Sequence, residues 1–392
     1  MITAQTLDRI THFDGSGLPV VSLYLDIPVD PGQRNALDSR VSSLLDQVRA
    51  CVHDPTLDRL ARFSVRDDID RIQDAAEVAR WRPGATAIFS CTRGGLFEQV
   101  ALHHAVHEQV VVDVTPWVRP MLAVLDESYR VCVAVVDRKS AQIWELYQDE
   151  IAPLDRVRDR VLRKPNYAGR YGLDEYRIRN HAQTLTQAHY RRTAELLREH
   201  FDDGGYQLLI VGGHQAELPR FVEALPTELQ KIVVGTFTAD PNAATEADIR
   251  CEATAIAERF ERERERRQVD EIFGVAAGGG PAVLGVDACL WAGSLAAVRT
   301  LLLQDATMVQ GVVCERSACV ASSGDICALC GGKTRPTADV LDELAMKVID
   351  GGGAVVHIRA ETQLRHHVAA ARLRFPLPPQ PGHEFGRGSM PE

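Results

Sequence analysis

The sequence predicts an α/β chain of three consecutive domains, at 1–125, 126–272 and 273–376, followed by a disordered tail at 377–392. Short apolar runs rich in Val, Ile and Leu alternate along the chain with longer stretches of helical period, which is the signature of sheets covered by helices. Pro116 and Pro120 punctuate the first boundary, and Gly278-Gly279-Gly280-Pro281 reads as a linker at the second. A basic segment with no apolar period at its centre interrupts the middle domain.

In the first domain the run 18–27 is a strand closed off by the turn residues of 28–32. Asn35 then caps a helix that places Leu37, Val41, Leu44, Leu45 and Val48 on one face. A second helix is expected over 65–79, with strands at 86–90, 98–106 and 110–114. The middle domain opens with strands at 131–136 and 141–146, joined by the polar turn Asp137-Arg138-Lys139-Ser140. A long helix follows at 176–200, then a buried strand at 207–213, a helix at 218–229, a strand at 231–235 and a helix over about 245–269. That last helix carries alternating charges over 258–267, which supply (i, i+3) and (i, i+4) ion pairs. A solvated or domain-linking helix accounts for the run, with RNA contact as the alternative. Gly212-Gly213 marks a strand-to-helix turn.

The basic segment spans 156–192. It holds Arg156, Arg158, Arg160, Arg163, Lys164, Arg170, Arg177, Arg179, Arg191 and Arg192 against Asp159, Asp174 and Glu175, a net of +7 in a chain whose formal net charge is −10. Positive charge so concentrated in an acidic protein is the electrostatic footprint of a polyphosphate partner, RNA above all. Lys164, Arg170, Arg177 and Arg179 are the candidate phosphate contacts, and Gly169 and Gly172 permit close backbone approach. Tyr167 and Tyr171 could stack on exposed bases or pack against the arm itself.

The order hairpin, basic arm, long helix, then alternating strand and helix resembles the central domain of the archaeal and eukaryotic class-1 release factors and Pelota. The whole chain looks most like the bacterial branch of that superfamily, which includes the ribosome-hibernation factor Balon. Gly285-Val286-Asp287, the run 296–303, the helix beginning at 337 and the strand at 351–356 are similar to the superfamily's third domain, an α/β/α unit related to kink-turn-binding proteins. The resemblance implies the ribosome as partner, through rRNA and tRNA, and a translational GTPase as a further candidate. Members that hydrolyse peptidyl-tRNA carry Gly-Gly-Gln at the arm's tip. Here the corresponding place reads Ala168-Gly169-Arg170-Tyr171-Gly172-Leu173-Asp174-Glu175, with neither paired glycines nor glutamine. No catalytic residue is therefore assigned. The expected function is a ribosome-binding factor that occupies the A site without hydrolysis, in hibernation or in rescue of stalled ribosomes; the alternative is a peptidyl-tRNA hydrolase using another side chain.

Cys314, Cys319, Cys327 and Cys330 lie close in sequence, and Cys327-Ala328-Leu329-Cys330-Gly331-Gly332 has the form of a metal knuckle. Four thiolates with no His among them, and with Asp325 the single Asp between Cys319 and Cys327, suit a closed, structural Zn²⁺ site. The resemblance supports a metal-binding minidomain at this place. Reduced thiols in a loop, or a redox pair at Cys327 and Cys330, are the other readings. Cys51, Cys91, Cys132, Cys251 and Cys289 sit among apolar neighbours and read as core. His103, His104, His107, His366 and His367 read as surface histidines. The opening Met1 to Asp8 has neither a basic nor an apolar region, and no run approaches the roughly 18 apolar residues of a spanning helix, so a cytoplasmic protein is expected.

Overall fold

The computed structural model describes residues 4–28, 34, 36–53, 57–75, 84–102, 106–126, 129–148, 150–159, 173–241 and 243–378, with the backbone alone at 4 and 173–180. The chain is α/β. It divides into two compact units, one formed by Met1–Asp126 with Glu265–Glu392 and the other by Glu127–Arg264.

The first segment runs α1 (Ala4–Thr11), β1 (Val20–Ile27), α2 (Leu37–Val48), α3 (Arg59–Ala75), β2 (Gly84–Cys91), β3 (Leu96–Leu102), β4 (Gln109–Asp113) and α4 (Arg119–Asp126). The strands form an antiparallel sheet in the order β3-β2-β1-β4. Alternation sends Val21, Leu23, Leu25 and Ile27 of β1 to the face covered by α2 and α3, while Val20 and Tyr24 face Phe89, Trp117 and Met121. Both faces are covered, which is why the strand reads as a mostly apolar run, interrupted only by Ser22 and Asp26. The stripe Leu37, Val41, Leu44, Leu45 and Val48 is buried as expected. Asn35 lies outside the described residues, and Ala36 stands at the N-cap of α2 without a side-chain cap bond. Pro120, read as boundary punctuation, instead sits in the first turn of α4, where its missing N–H costs nothing.

The middle segment runs β5 (Val131–Val136), β6 (Ser140–Tyr147), β7 (Glu150–Arg158), α5 (Leu173–Gly204), β8 (Leu208–Gly213), α6 (Leu218–Ala224), α7 (Thr227–Lys231), β9 (Val233–Thr238) and α8 (Glu246–Ala277). Its sheet is ordered β7-β6-β5-β8-β9, with β5, β8 and β9 parallel and β6 and β7 antiparallel. Cys132, Ala134 and Val136 face Tyr190, Ala194, Leu197 and Phe221 on one side. Val131, Val133 and Val135 face Ile249, Ala253 and Ile256 of α8 on the other. Strand β7 is a departure from the sequence reading. Its residues are mostly exposed and include Pro153, both features of an edge strand, so no buried alternation announces it. The helix expected over 218–229 is broken because Pro226 forces Leu225 into an extended conformation, ψ 148°. The two glycines of β8 serve close packing: a Cβ on Gly213 would stand 2.4 Å from the Val136 carbonyl oxygen, and one on Gly212 would meet the Phe237 ring at 2.5 Å.

The last segment adds β10 (Ala282–Leu284), α9 (Val286–Ser294), β11 (Val298–Gln304), β12 (Gly311–Cys314), β13 (Val320–Ala321), β14 (Thr334–Thr337), α10 (Val340–Asp350), β15 (Ala354–Ile358) and β16 (Ala369–Leu373). Four strands form a sheet ordered β10-β16-β11-β15, and a small sheet ordered β13-β12-β14 stands beside it. Leu290, Leu301, Leu341 and Leu344 fill one face of the larger sheet, and Val269 and Ile272 of α8 cover Leu302, Val356 and Ile358 on the other. The charged run of α8 is therefore not wholly solvated. Arg264 pairs with Glu261 at 2.7 Å as helical spacing predicts, but Glu265 is fully buried and its Oε2 accepts the N–H groups of Arg359 and Ala360 at 2.8 and 2.6 Å.

Within this unit, a buried polar seam joins the first and last segments. Asp339 Oδ2 accepts from Trp117 Nε1 at 3.0 Å and from Arg119 Nε and Nη2 at 3.0 and 2.8 Å, while its Oδ1 caps α10 through the Leu341 N–H. Asp342 Oδ1 accepts the N–H groups of Val118 and Arg119 at the start of α4, at 3.0 and 2.6 Å. Burial, with Asp339 adding repulsion, holds the Asp342 carboxyl well above the usual carboxylate range. Among the described residues no helix is long and apolar enough to cross a membrane.

Candidate functional site

The basic segment 156–192 begins on β7 and ends on α5. Lys164, Tyr167, Gly169, Arg170, Tyr171 and Gly172 lie outside the described residues. Arg177 and Arg179 fall in the first turns of α5, where only the backbone is described.

What the structure does describe is the footing of the arm. Asp159, the residue after β7, donates its N–H to the Lys139 carbonyl at 2.8 Å. Its carboxylate meets His189 Nδ1 at 2.7 Å and pairs with Arg192, one turn apart on α5. Beside this clasp Glu217, buried at the start of α6, accepts Arg138 Nε and Nη2 at 2.9 and 2.6 Å and the Tyr190 hydroxyl at 2.9 Å. Burial opposes ionisation of Glu217, but the Arg138 and Tyr190 hydrogen bonds outweigh it and draw its pKa down. Tyr190 is pushed up, by burial first and by the Glu217 hydrogen bond second. In sequence, Asp137 to Ser140 reads as a simple polar turn, and nothing singles out His189, Tyr190 or Glu217. The pairing of Arg138 with Lys139 at a strand turn is the available signal.

The cysteine cluster is fully described. Strand β12 ends in Cys314, and the chain turns back through Ala318, whose φ of 50° is left-handed, so that Cys314 N–H donates to the Cys319 carbonyl at 2.8 Å. A second turn ties Gly331 N–H to the Cys327 carbonyl at 2.9 Å and Cys327 N–H to the Gly332 carbonyl at 2.8 Å. Gly331 takes φ 66°, and a Cβ on Gly332 would crowd Cys330 Sγ and Cys314 Sγ at 3.2 and 3.3 Å. The two turns bring the Sγ atoms of Cys314, Cys327 and Cys330 within 4.8 Å of one another, with Cys314 and Cys330 at 3.4 Å. Thiolates sharing a tetrahedral zinc lie roughly 3.8 Å apart, so the set fits a metal of that kind.

Electrostatics separates these thiols from the fourth. The Ser317 hydroxyl, the Gly332 N–H, Cys314 and Arg316 all favour the Cys330 thiolate and lower its pKa to about 6. Burial resists ionisation of Cys327, yet Ser317 and the backbone N–H groups around it prevail and its pKa also falls. Cys319 differs: burial raises its pKa, and its Sγ donates to Ser294 Oγ at 3.2 Å. The structure thus brings together three of the four expected ligands and leaves Cys319 outside that group. Of the cysteines read as core, Cys91, Cys132 and Cys289 are buried and Cys51 is half-buried. Cys251 is exposed, because it falls on the outer face of α8.

Residues 116–267 match the sequence model of Bacterial archaeo-eukaryotic release factor family 10, a span that takes in the whole unit Glu127–Arg264. Over that segment the chain is release-factor-like. Among solved structures it is similar to S. cerevisiae Dom34, a translation termination-like factor, at 12% identity over 74% of this chain and 75% of that chain with a TM-score of 0.42. It is also similar to Archaeoglobus fulgidus Pelota, at 18% identity over 76% and 80% with a TM-score of 0.36. An archaeal translation termination factor, aRF1, matches at 19% identity over 95% and 97% with a TM-score of 0.24. No curated protein matches the sequence.

Proposed function

We propose that this chain is a ribosome-binding translation factor of the cytoplasm that occupies the A site without hydrolysing peptidyl-tRNA, acting in ribosome hibernation or in rescue of stalled ribosomes. The observation that carries the reading is the family match over 116–267 combined with an arm sequence, Ala168 to Glu175, that lacks Gly-Gly-Gln. The match supports a part in translation, and the missing tripeptide removes the water-orienting glutamine on which hydrolysis depends. Asp174 and Glu175 are the nearest carboxylates able to act as bases, and their negative charge would oppose approach to RNA phosphates.

On this reading Lys164, Arg170, Arg177 and Arg179 engage rRNA or tRNA phosphates, and Tyr167 and Tyr171 stack on unpaired bases. A translational GTPase is the second partner. A structural Zn²⁺ held by Cys314, Cys327 and Cys330, with Cys319 as fourth ligand after its thiol turns from Ser294, would brace the small sheet β13-β12-β14; bound there it supplies cross-linking and no open position for chemistry. The test is co-sedimentation of the purified chain with ribosomes over a salt series. Binding should weaken steeply with salt, and Arg170→Glu, Arg177→Glu and Arg179→Glu together should weaken it strongly. Salt-insensitive sedimentation, or unchanged sedimentation of the folded triple variant, would remove the arm from this role.

A further inference from the structure

The footing of the arm carries a charge asymmetry that the arm sequence alone does not contain. Glu217 gathers Arg138 and Arg220 and Asp159 holds Arg192, and the two acids are less exposed than these cations. The Arg138 and Arg220 side chains are 69% and 64% exposed, and the Glu217 carboxylate between them is 6% exposed. Arg192 is 55% exposed beside an Asp159 that is 22% exposed. Lys139, also exposed, links the two clusters, since its carbonyl accepts the Asp159 N–H while its neighbour Arg138 holds Glu217. A third acid, Asp137, is buried and spends its Oδ1 on the N–H groups of Lys139 and Ser140 at 2.6 and 2.7 Å, which fixes the turn that presents Arg138 and Lys139. Between Glu175 and Glu195 the sequence of α5 contains no acid at all.

We infer that Arg138, Lys139, Arg192 and Arg220 form a second, preorganised phosphate-binding plateau at the base of the arm. The sunken carboxylates hold the guanidinium groups in place and leave their outward N–H groups for a ligand, so little side-chain freedom is lost on binding. The ligand is RNA backbone, because Asp159 and Arg192 of the plateau belong in sequence to the same basic segment, 156–192, whose charge marks a polyphosphate partner. This rests on the proposed ribosome binding and extends it from the arm to the body of the middle unit.

The experiment uses the full chain and ribosomes in a salt series, comparing wild type, Lys139→Ala with Arg220→Ala, and the arm variant Arg170→Glu, Arg177→Glu, Arg179→Glu. Arg138 is left intact so that Glu217 keeps its main partner, and circular dichroism checks the fold of each variant. The plateau variant should bind on the order of tenfold more weakly, with a slope of log affinity against log salt shallower by about 2, one for each phosphate no longer neutralised. An unchanged slope with the arm variant still impaired would overturn the plateau and leave ribosome binding standing. Absence of salt-sensitive binding by wild type would overturn both. Displacement of the ribosome by polyglutamate but not by bulk tRNA would assign the surface to an acidic protein and overturn the RNA inference.

Discussion

His357 should make the larger unit acid-sensitive above the range in which carboxylates titrate. It lies on β15 opposite Leu303 of β11, it is buried, and neither ring nitrogen has a hydrogen-bond partner among the described residues. Burial, reinforced by the Arg119 guanidinium, depresses its pKa to about 3. The unfolded chain holds the same imidazole near the ordinary value of about 6.5. A base with a depressed folded-state pKa contributes stability that is fully present above the unfolded value and is lost as pH falls from there towards the folded value. At about pH 5 the unfolded state gains roughly a 33-fold statistical advantage from protonation of this group and the folded state almost none, so His357 by itself contributes a loss of about 2 kcal/mol relative to neutral pH, opposed by Asp342, whose raised carboxyl pKa acts in the other direction. Urea unfolding at neutral pH and at about pH 5, with hydrogen exchange read in peptides covering 354–358, measures the loss. His357→Leu, which cannot titrate, should show a loss about 2 kcal/mol smaller than wild type between the same two conditions. Equal losses in the two proteins would refute the reasoning.

The buried Arg119–Asp339 pair leads to a second expectation: Asp339→Ala strands a guanidinium that is almost fully buried, and should destabilise the unit by about 3–5 kcal/mol in urea unfolding. Purification under reducing conditions should yield one zinc per chain by elemental analysis, with Cys327→Ser losing more metal than Cys319→Ser, since Cys327 stands among the clustered thiols and Cys319 faces Ser294. Arg170→Gly, Tyr171→Gly and Gly172→Gln together install the absent tripeptide; gain of peptide release on programmed ribosomes would show that the arm already reaches the ester.

The parts of the fold that announce themselves are those whose burial leaves a period in the sequence. The apolar stripe of α2 and the runs of β1, β5 and β8 are covered on one or both faces, and their residue types say so. Strand β7 and the closing strand β16 escape a sequence reading for opposite reasons. The first is an exposed edge with a proline, and the second, Ala369-Ala370-Ala371-Arg372-Leu373, is buried but built of alanine, which carries little strand preference. Cys327 and Cys330 are legible because a knuckle is local. That Cys319 turns to Ser294 is a tertiary fact, as is the burial of Glu265 inside a run of charges. The arm's charge is visible by counting, while its footing on Glu217 depends on residues 27 positions apart in Tyr190 and 79 in Arg138.

Occupancy without hydrolysis can be read in a single assay: ribosomes carrying labelled peptidyl-tRNA are incubated with the purified chain, and A-site tRNA binding and peptide release are followed in the same sample. Exclusion of A-site tRNA with no release above the spontaneous rate is the expected result. Robust release by the unmodified protein, abolished by Asp174→Asn or Glu175→Gln, would contradict it and make the chain a hydrolase.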